Sequence, residues 1–270
     1  EVAWYKKANK FNISALPQIY CFSPLKMERI KGKNIYEMNL AYPEKQEVLK
    51  KIVSELKKLH SCGTRPADRA SIKEVYFNKT FSRLSKVSEL VPFAKDEYII
   101  INEKKCKNVF FLKKELEDEF DKFSCEKFSF IHGDCTFSNI MIRENGNPVF
   151  IDPRGYFGFS EIYGDERYDW AKLYYSIVGN YDRFNLKDFS LIIEENDVHL
   201  DIASNGWEDM EDTFFELTGA DRWEIKLIHA VIWLSLTTYA WQDYDSICGA
   251  FYNGLYYLNE ALNLGKNCDK

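Results

Sequence analysis

The 270-residue chain has few of the features that mark a membrane, nucleic-acid-binding or disulfide-bonded protein. No apolar run approaches the roughly 20 residues that cross a bilayer. The net charge is −6, whereas binding to nucleic acid phosphates needs a basic face. The seven cysteines are scattered, with no C-x-x-C pair and no Cys/His cluster, so neither a disulfide framework nor a zinc site is expected. The sequence predicts a cytoplasmic protein with reduced thiols and with no nucleic-acid or membrane partner.

The composition is that of a folded globular protein, with 46% hydrophobic and 29% charged residues. The chain begins with Glu1 instead of an initiator Met, and its first residues do not have the pattern of a signal peptide. We therefore expect either a processed protein or a piece of a longer polypeptide that carries further domains upstream of Glu1.

Periodicity predicts a mixed N-terminal part, a central β-hairpin and a helical C-terminal half. Helices are predicted at 2–9, 43–61 and 110–122, β-type runs at 18–22, 25–30 and 128–134, and a turn at 31–33. Two apolar or alternating runs flank Asn145-Gly146, which is typical of a hairpin. Everything after Tyr168 is predicted to be helical.

Three polar residues lie at the strand ends of this hairpin region. Asp134 ends the incoming strand, Asn139 begins the first hairpin strand, and Asp152 ends the second. Neighbouring strands lie about 5 Å apart, so Asn139 and Asp152 should approach each other at one edge. A carboxylate and an amide oxygen suit Mg²⁺, which relies on substrate phosphates for further ligands. A separate carboxylate, Asp134, can accept a hydroxyl proton, and together these groups suit phosphoryl transfer.

This segment resembles the aminoglycoside phosphotransferase and choline kinase family, whose members are small-molecule relatives of the protein kinases. The resemblance rests on four stretches: His132-Gly-Asp-Cys-Thr-Phe-Ser-Asn139 with the later Ile151-Asp152, Gly164-Asp-Glu-Arg-Tyr-Asp169-Trp-Ala171, Met27-Glu-Arg-Ile-Lys-Gly32, and Leu56-Lys-Lys-Leu-His60. They follow the family's order along most of the chain. The resemblance implies a protein-kinase-like α+β fold.

It also implies a division into a remnant of the kinase N-lobe and hinge, residues 1–40, and a mainly helical C-lobe, residues 41–270. The C-lobe would contain the catalytic loop, 132–139, and the metal-binding segment, 151–155. The implied roles are catalytic base for Asp134, loop orientation for His132, Mg²⁺ binding for Asn139 and Asp152, structural support for Asp169, and adenine binding for the hinge residues Met27, Glu28 and Ile30. In the hinge, the carbonyl of Glu28 and the amide of Ile30 would contact the base. ATP would be the co-substrate.

The acceptor is less defined. Arg154 follows the metal-binding carboxylate and suits either a phosphate or acidic substrate, or a structural salt bridge. Trp241 and Asp243 offer an aromatic face for a choline-type cation and a carboxylate for an amino sugar, although aromatic residues here are also typical of a helical core.

The family's glycine-rich strands and phosphate-binding lysine have no counterpart in the chain. We therefore expect an exposed apolar patch around Val2, Trp4, Ile19 and Met27, and weak ATP binding by residues 1–270 alone. The predicted function is ATP-dependent phosphorylation of a hydroxyl on a sugar, an amino alcohol such as choline, or an aminoglycoside-like compound. The alternative is a catalytically silent kinase-like module that binds a nucleotide or a partner within a larger protein.

Overall fold

The computed structural model describes residues 1–195, 197–239 and 243–268. In these ranges, no helix combines the length and the apolar character needed to span a bilayer. The α-helices are α1 (Val2–Ala8), α2 (Tyr42–Ser61), α3 (Arg69–Lys73), α4 (Lys79–Val87), α5 (Lys113–Asp121), α6 (Glu166–Ile177), α7 (Tyr181–Asn185), α8 (Glu211–Thr218), α9 (Arg222–Leu236) and α10 (Tyr244–Cys268). The strands are β1 (Ile19–Phe22), β2 (Leu25–Met27), β3 (Gly32–Asn34), β4 (Thr64–Pro66), β5 (Tyr98–Ile101), β6 (Lys104–Lys107), β7 (Lys127–Phe130), β8 (Ile140–Arg143), β9 (Pro148–Phe150), β10 (Tyr156–Phe157), β11 (Ser160–Glu161), β12 (Tyr163–Gly164), β13 (Phe189–Ile193) and β14 (Val198–Ile202).

The chain divides into two compact units. The first unit comprises Glu1–Asp68, Cys125–Asp182 and Asn205–Ala220, and the second comprises Arg69–Ser124, Arg183–Ser204 and Asp221–Lys270. The lobe boundary predicted near residue 40 falls inside the first unit. That boundary refers to the two lobes of a protein kinase, and it stays a prediction.

The first unit is built on α2 and two three-stranded sheets, ordered β3-β8-β9 and β12-β7-β4. The predicted helix at 43–61 is confirmed as α2. Its apolar face is buried, with Leu49, Ile52, Leu56 and Leu59 fully covered, while Lys50, Lys57 and Lys58 are exposed, as the pattern indicates. The N-terminus of α2 is closed by Glu44, whose carboxylate accepts a hydrogen bond from the Ala41 amide at 2.8 Å.

The predicted hairpin is confirmed as β8 and β9, but the turn predicted at 31–33 is wrong. Gly32–Asn34 forms β3, which pairs with β8 so that Gly32 lies opposite Arg143. A Cβ atom at Gly32 would collide with the backbone of Ile142. The glycine therefore allows a close approach between two strands, where the sequence pattern suggested chain reversal.

The expected exposed patch at the N-terminus is wrong for Trp4. The indole of Trp4 is completely buried. It stacks on Phe130 with 5.0 Å between ring centroids, and its Nε1 donates a hydrogen bond to the Ile131 carbonyl at 2.7 Å. The chain's own β7 thus supplies the apolar cover for α1. Val2, Ile19 and Met27 are half-buried.

The second unit corrects the prediction of helix throughout the chain after Tyr168. It contains a four-stranded sheet ordered β13-β14-β5-β6. In β14, Val198 and Leu200 are buried while His199 and Asp201 are exposed. This alternation with period two is typical of a half-buried strand. Helix α10 packs along α9 and also contacts β6 and β14 of this sheet.

Candidate active site

The catalytic loop, residues 132–139, connects β7 to β8 and ends in a single turn of 3-10 helix, Phe137–Asn139. The side-chain nitrogen Nδ2 of Asn139 donates to the backbone carbonyl of Asp134 at 2.8 Å and to its carboxylate oxygen Oδ2 at 3.1 Å. These bonds bring two of the predicted site residues together. They use the NH2 group of Asn139 and do not engage its carbonyl oxygen Oδ1.

Asp152 lies immediately after β9, next to the start of β8. The Ile151 amide donates to the Asn139 carbonyl at 3.0 Å, which joins the two predicted metal-binding positions through the backbone. Asp152 itself has a φ of 55°, a left-handed conformation that is uncommon outside glycine and that often occurs at functional sites. Its side chain is exposed.

The side-chain oxygens of Asn139 and Asp152 are of the kind that binds a magnesium ion. The described residues contain no cluster of three or more His, Cys, Asp or Glu side chains suited to a metal. Magnesium is commonly held by one or two protein oxygens together with substrate phosphates and water. Oδ1 of Asn139 and the carboxylate of Asp152 are hard oxygen donors of that kind.

Asp169, on α6, holds the backbone at the start of the catalytic loop. Its carboxylate accepts hydrogen bonds from the amides of His132 at 2.8 Å and Gly133 at 2.7 Å. It also pairs with Nε2 of His60 at 2.9 Å. Asp169 is fully buried. Burial opposes its ionisation, but the hydrogen bonds from His60 and from the His132 amide outweigh that effect, so the pKa of Asp169 lies below its usual value.

His132 is held as a neutral imidazole by its hydrogen bonds. Its Nε2 contacts the Ile151 carbonyl at 3.0 Å and therefore donates. Its Nδ1 accepts from the Asp134 amide at 3.2 Å. A protonated ring could not accept that second bond, and burial likewise lowers the pKa of His132. The ring therefore links the loop to the segment that precedes Asp152.

The backbone conformation at Gly133 explains why a glycine lies between His132 and Asp134 in this loop. Its φ of 82° is left-handed, and a Cβ atom there would lie 2.9 Å from the Cβ of Arg154. A larger residue would therefore meet both backbone strain and a steric clash.

Lys172 is a residue of this site that the sequence reasoning missed. Its ammonium lies 2.8 Å from Oδ1 of Asp134. Burial disfavours the charge on Asp134, but Lys172 outweighs burial and the pKa of Asp134 lies below its usual value. The signal was present in the sequence, because Lys172 follows Ala171, the last residue of the matched motif, and lies three positions after Asp169 on the same helical face.

Arg154 lies against two tyrosines beside the loop. Its guanidinium donates to the hydroxyl of Tyr168 at 3.0 Å and to that of Tyr156 at 3.0 Å. It also covers the Tyr156 ring, 4.6 Å from its centroid, and its charge contributes to the lowered pKa of Asp134. The two roles predicted for Arg154, contact with a phosphate or acidic substrate and a structural salt bridge, both stay predictions.

The hinge segment contains Met27, Glu28 and Ile30. The Glu28 amide donates to the Gln18 carbonyl at 2.8 Å, and its side chain pairs with Arg143. Within the described residues, no donor contacts the Glu28 carbonyl and no acceptor contacts the Ile30 amide. These are the two backbone groups expected to bind adenine.

Asp243 and Trp241 are also residues predicted to bind the acceptor. Asp243 belongs to the second unit, where it accepts from Lys187 at 2.7 Å and from the Ser246 amide at 3.1 Å. It therefore serves the start of α10. Trp241 lies outside the described residues.

The family model of the phosphotransferase enzyme family (APH) matches residues 1–183. The chain therefore belongs to this family and is a phosphotransferase. A search of curated proteins finds no match to the chain.

Solved kinase structures resemble the chain in fold. Choline kinase LicA from Streptococcus pneumoniae has a TM-score of 0.51 at 14% identity, over 96% of this chain and 81% of that one. A Plasmodium vivax ethanolamine kinase has a TM-score of 0.54 at 16% identity, over 96% and 71%. A glucosamine kinase has a TM-score of 0.60 at 12% identity, over 97% and 69%. The fold is therefore protein-kinase-like.

Proposed function

We propose that this phosphotransferase transfers the γ-phosphoryl group of MgATP to a hydroxyl of a small molecule. The observation that carries the proposal is the pair of hydrogen bonds from Asn139 to Asp134, next to the backbone bond between Ile151 and Asn139. Asp134, a carboxylate that can accept a proton, thus contacts Asn139, and the residue before Asp152 is bonded to the backbone of Asn139. Asn139 and Asp152 carry side-chain oxygens that suit Mg²⁺. That combination is what phosphoryl transfer requires.

Each residue has a distinct part in this proposal. Asp134 accepts the proton of the acceptor hydroxyl and orients it. Oδ1 of Asn139 and the carboxylate of Asp152 would hold Mg²⁺, whose charge would offset that of the phosphates. Asp169 and His132 fix the loop, and the Glu28 carbonyl and Ile30 amide bind adenine.

The acceptor proposed is an alcohol of low molecular weight: an amino alcohol, a sugar or an aminoglycoside-like compound. The similar structures bear the names of choline, ethanolamine and glucosamine kinases, which makes those three compounds the first acceptors to assay.

The test replaces the proposed base. Asp134→Asn should lower kcat about 10²- to 10⁴-fold, the range for a general base. It should leave the Kd for MgATP within about twofold, because Asp134 acts on the acceptor. ADP release would be followed with choline, ethanolamine, glucosamine or water as acceptor, and MgATP affinity by calorimetry.

Asp209→Asn is the matched control. Asp209 lies in the same unit and pairs with Lys45 at 3.3 Å, much as Asp134 pairs with Lys172, and it should have no effect on turnover. If the wild-type protein binds MgATP but shows no turnover, the silent-module alternative replaces this proposal. If it turns over and Asp134→Asn leaves that turnover unchanged, the assignment of Asp134 as the base is wrong.

A further inference from the structure

One face of α6 runs along the catalytic loop. Asp169, Lys172 and Ser176 are separated by three and four positions, so they share that face. Asp169 accepts from the backbone of His132 and Gly133, and the Ser176 hydroxyl accepts from the Phe137 amide at 3.0 Å. Lys172 lies between these two anchors. Unlike them, it contacts the loop through the side chain of Asp134.

The surroundings of Lys172 keep it charged although it is mostly covered. Its side chain is 13% exposed, and the ammonium lies 5.3 Å from the ring centroid of Tyr175 and 6.0 Å from that of Tyr181. Desolvation disfavours an ammonium ion, but the Asp134 charge outweighs burial and raises the pKa of Lys172 above its ordinary value. Lys172 therefore carries a full positive charge next to the proposed base.

A purely structural role does not explain why Lys172 is paired with Asp134 at this position. The side chain of Asp134 is 37% exposed, so the pair opens toward the surface that a substrate would reach. A cation also weakens a neighbouring carboxylate as a base, which is a disadvantage if proton removal is the difficult step. Phosphoryl transfer depends mainly on positioning and charge neutralisation, and an adjacent cation helps both.

Lys172 also has hydrogen-bonding capacity to spare. An ammonium group has three N–H donors, and Oδ1 of Asp134 takes one. Within the described parts of the chain, no second oxygen is recorded as an acceptor for Lys172.

Resting on the proposed function, we propose that Lys172 is a catalytic residue that donates a hydrogen bond to an oxygen of the phosphoryl group during transfer. The acceptor oxygen forms a bond to the γ-phosphorus, and the bond from that phosphorus to the β,γ-bridging oxygen breaks. The bridging oxygen leaves with the electron pair as part of ADP. The hydroxyl proton passes to Asp134, while Lys172 stays protonated and neutralises charge on the phosphoryl oxygens.

The test that needs no acceptor uses MgADP with aluminium fluoride, which mimics the phosphoryl group in transfer. Lys172→Met should weaken binding of this complex about 10- to 100-fold, the range for a hydrogen bond to a charged group. It should leave the Kd for MgADP alone within about twofold. Lys172→Arg, which keeps the charge, should recover part of the loss.

Lys58→Met is the matched control, since Lys58 pairs with Glu55 at 2.6 Å on the exposed side of α2 and should change neither affinity. Thermal unfolding of each variant tests folding. If Lys172→Met does not fold, Lys172→Gln takes its place, because it is neutral and can still bond to Asp134.

Turnover measurements distinguish failure of this inference from failure of the proposed function. Lys172→Met should lower kcat at least tenfold while KM for MgATP stays within about twofold. If Asp134→Asn abolishes turnover but Lys172→Met binds the fluoride complex like wild type, the role of Lys172 is overturned and the proposed function stands. Equal losses of affinity for MgADP and for its complex with aluminium fluoride would also overturn the role of Lys172. If wild-type protein binds neither, both proposals fail.

Discussion

The catalytic loop and the hinge are both places where a substrate is expected to bind, yet the chain holds them in different ways. The loop is held by side chains that accept hydrogen bonds from its backbone amides: Asp169 from His132 and Gly133, Ser176 from Phe137, and Asp182 from Ser138. All three acceptors are buried. In the hinge, Glu28 pairs with Arg143, and each of the two side chains is about one-fifth exposed.

This difference predicts where substitutions are most costly. A buried amide that loses its acceptor cannot turn to water, so the full desolvation penalty remains. An exposed pair that is broken is rehydrated, so little free energy is lost. The loop should therefore tolerate little change in its supporting residues, whereas the hinge should tolerate more.

The largest effect is expected at Asp169. Asp169→Ala should lower the free energy of unfolding by about 3–5 kcal/mol, because the substitution leaves two buried amides and His60 without their partner. Urea unfolding followed by fluorescence measures this. Asp209→Ala, an exposed carboxylate of the same unit, should cost less than about 1 kcal/mol. Equal effects at the two positions would contradict the comparison.

The second largest effect is expected on the pH dependence of the free energy of unfolding, because the loop contains a buried histidine and the hinge contains none. His132 is buried with a lowered pKa, so between its folded pKa and about 6.5 the unfolded chain binds a proton that the folded chain does not. Its stabilising contribution is complete above pH 6.5 and is lost as the pH falls. The free energy of unfolding should therefore decrease from pH 7 to pH 5, by at most about 1.4 kcal/mol per pH unit for one histidine.

Single substitutions show which histidines cause this dependence of the free energy of unfolding on pH. His229 of the second unit accepts from Nε1 of Trp233 at 3.0 Å, and burial lowers its pKa to about 3. His132→Gln and His229→Gln should each make the slope of stability against pH shallower. A slope that neither variant changes would contradict the assignment of neutral, buried histidines.

Much of the candidate site could be predicted because it depends on local patterns. Asn145-Gly146 between two apolar runs specified the hairpin, and with it the approach of Asn139 to the segment of Asp152. The alternation of apolar and charged residues specified α2. Such signals lie within a few residues of each other, so the sequence alone reveals them.

The remaining features depend on partners that are distant in the sequence. Lys172 belongs to the site because α6 returns to the loop, bringing it to Asp134, 38 positions earlier. Gly32 is a strand residue because β8 approaches it, although glycine between two lysines is typical of a turn. Trp4 is buried because β7 covers it, a contact between residues more than 120 positions apart. Local periodicity carries no information about such pairs.

The smallest effect is expected at Glu28 in the hinge. Arg143 hydrogen-bonds to its side chain, and the Gln18 amide adds a second hydrogen bond; together they lower the pKa of Glu28 to about 2. Because the pair is partly exposed, Glu28→Gln should lower the free energy of unfolding by less than about 1 kcal/mol. A glutamine oxygen can still accept from Gln18, and the backbone carbonyl proposed to bind adenine is unchanged. The Kd for MgATP should therefore stay within about twofold.

A double-mutant cycle with Arg143→Gln isolates the pair, and its coupling energy should also be below about 1 kcal/mol. A coupling energy near that of the buried Asp169 contacts would show that the hinge is held as firmly as the loop. A tenfold loss of MgATP affinity in Glu28→Gln would instead place the side chain, and not the backbone, against the nucleotide. The first result would contradict the contrast between the two regions, and the second would contradict the proposed adenine contacts of the hinge backbone.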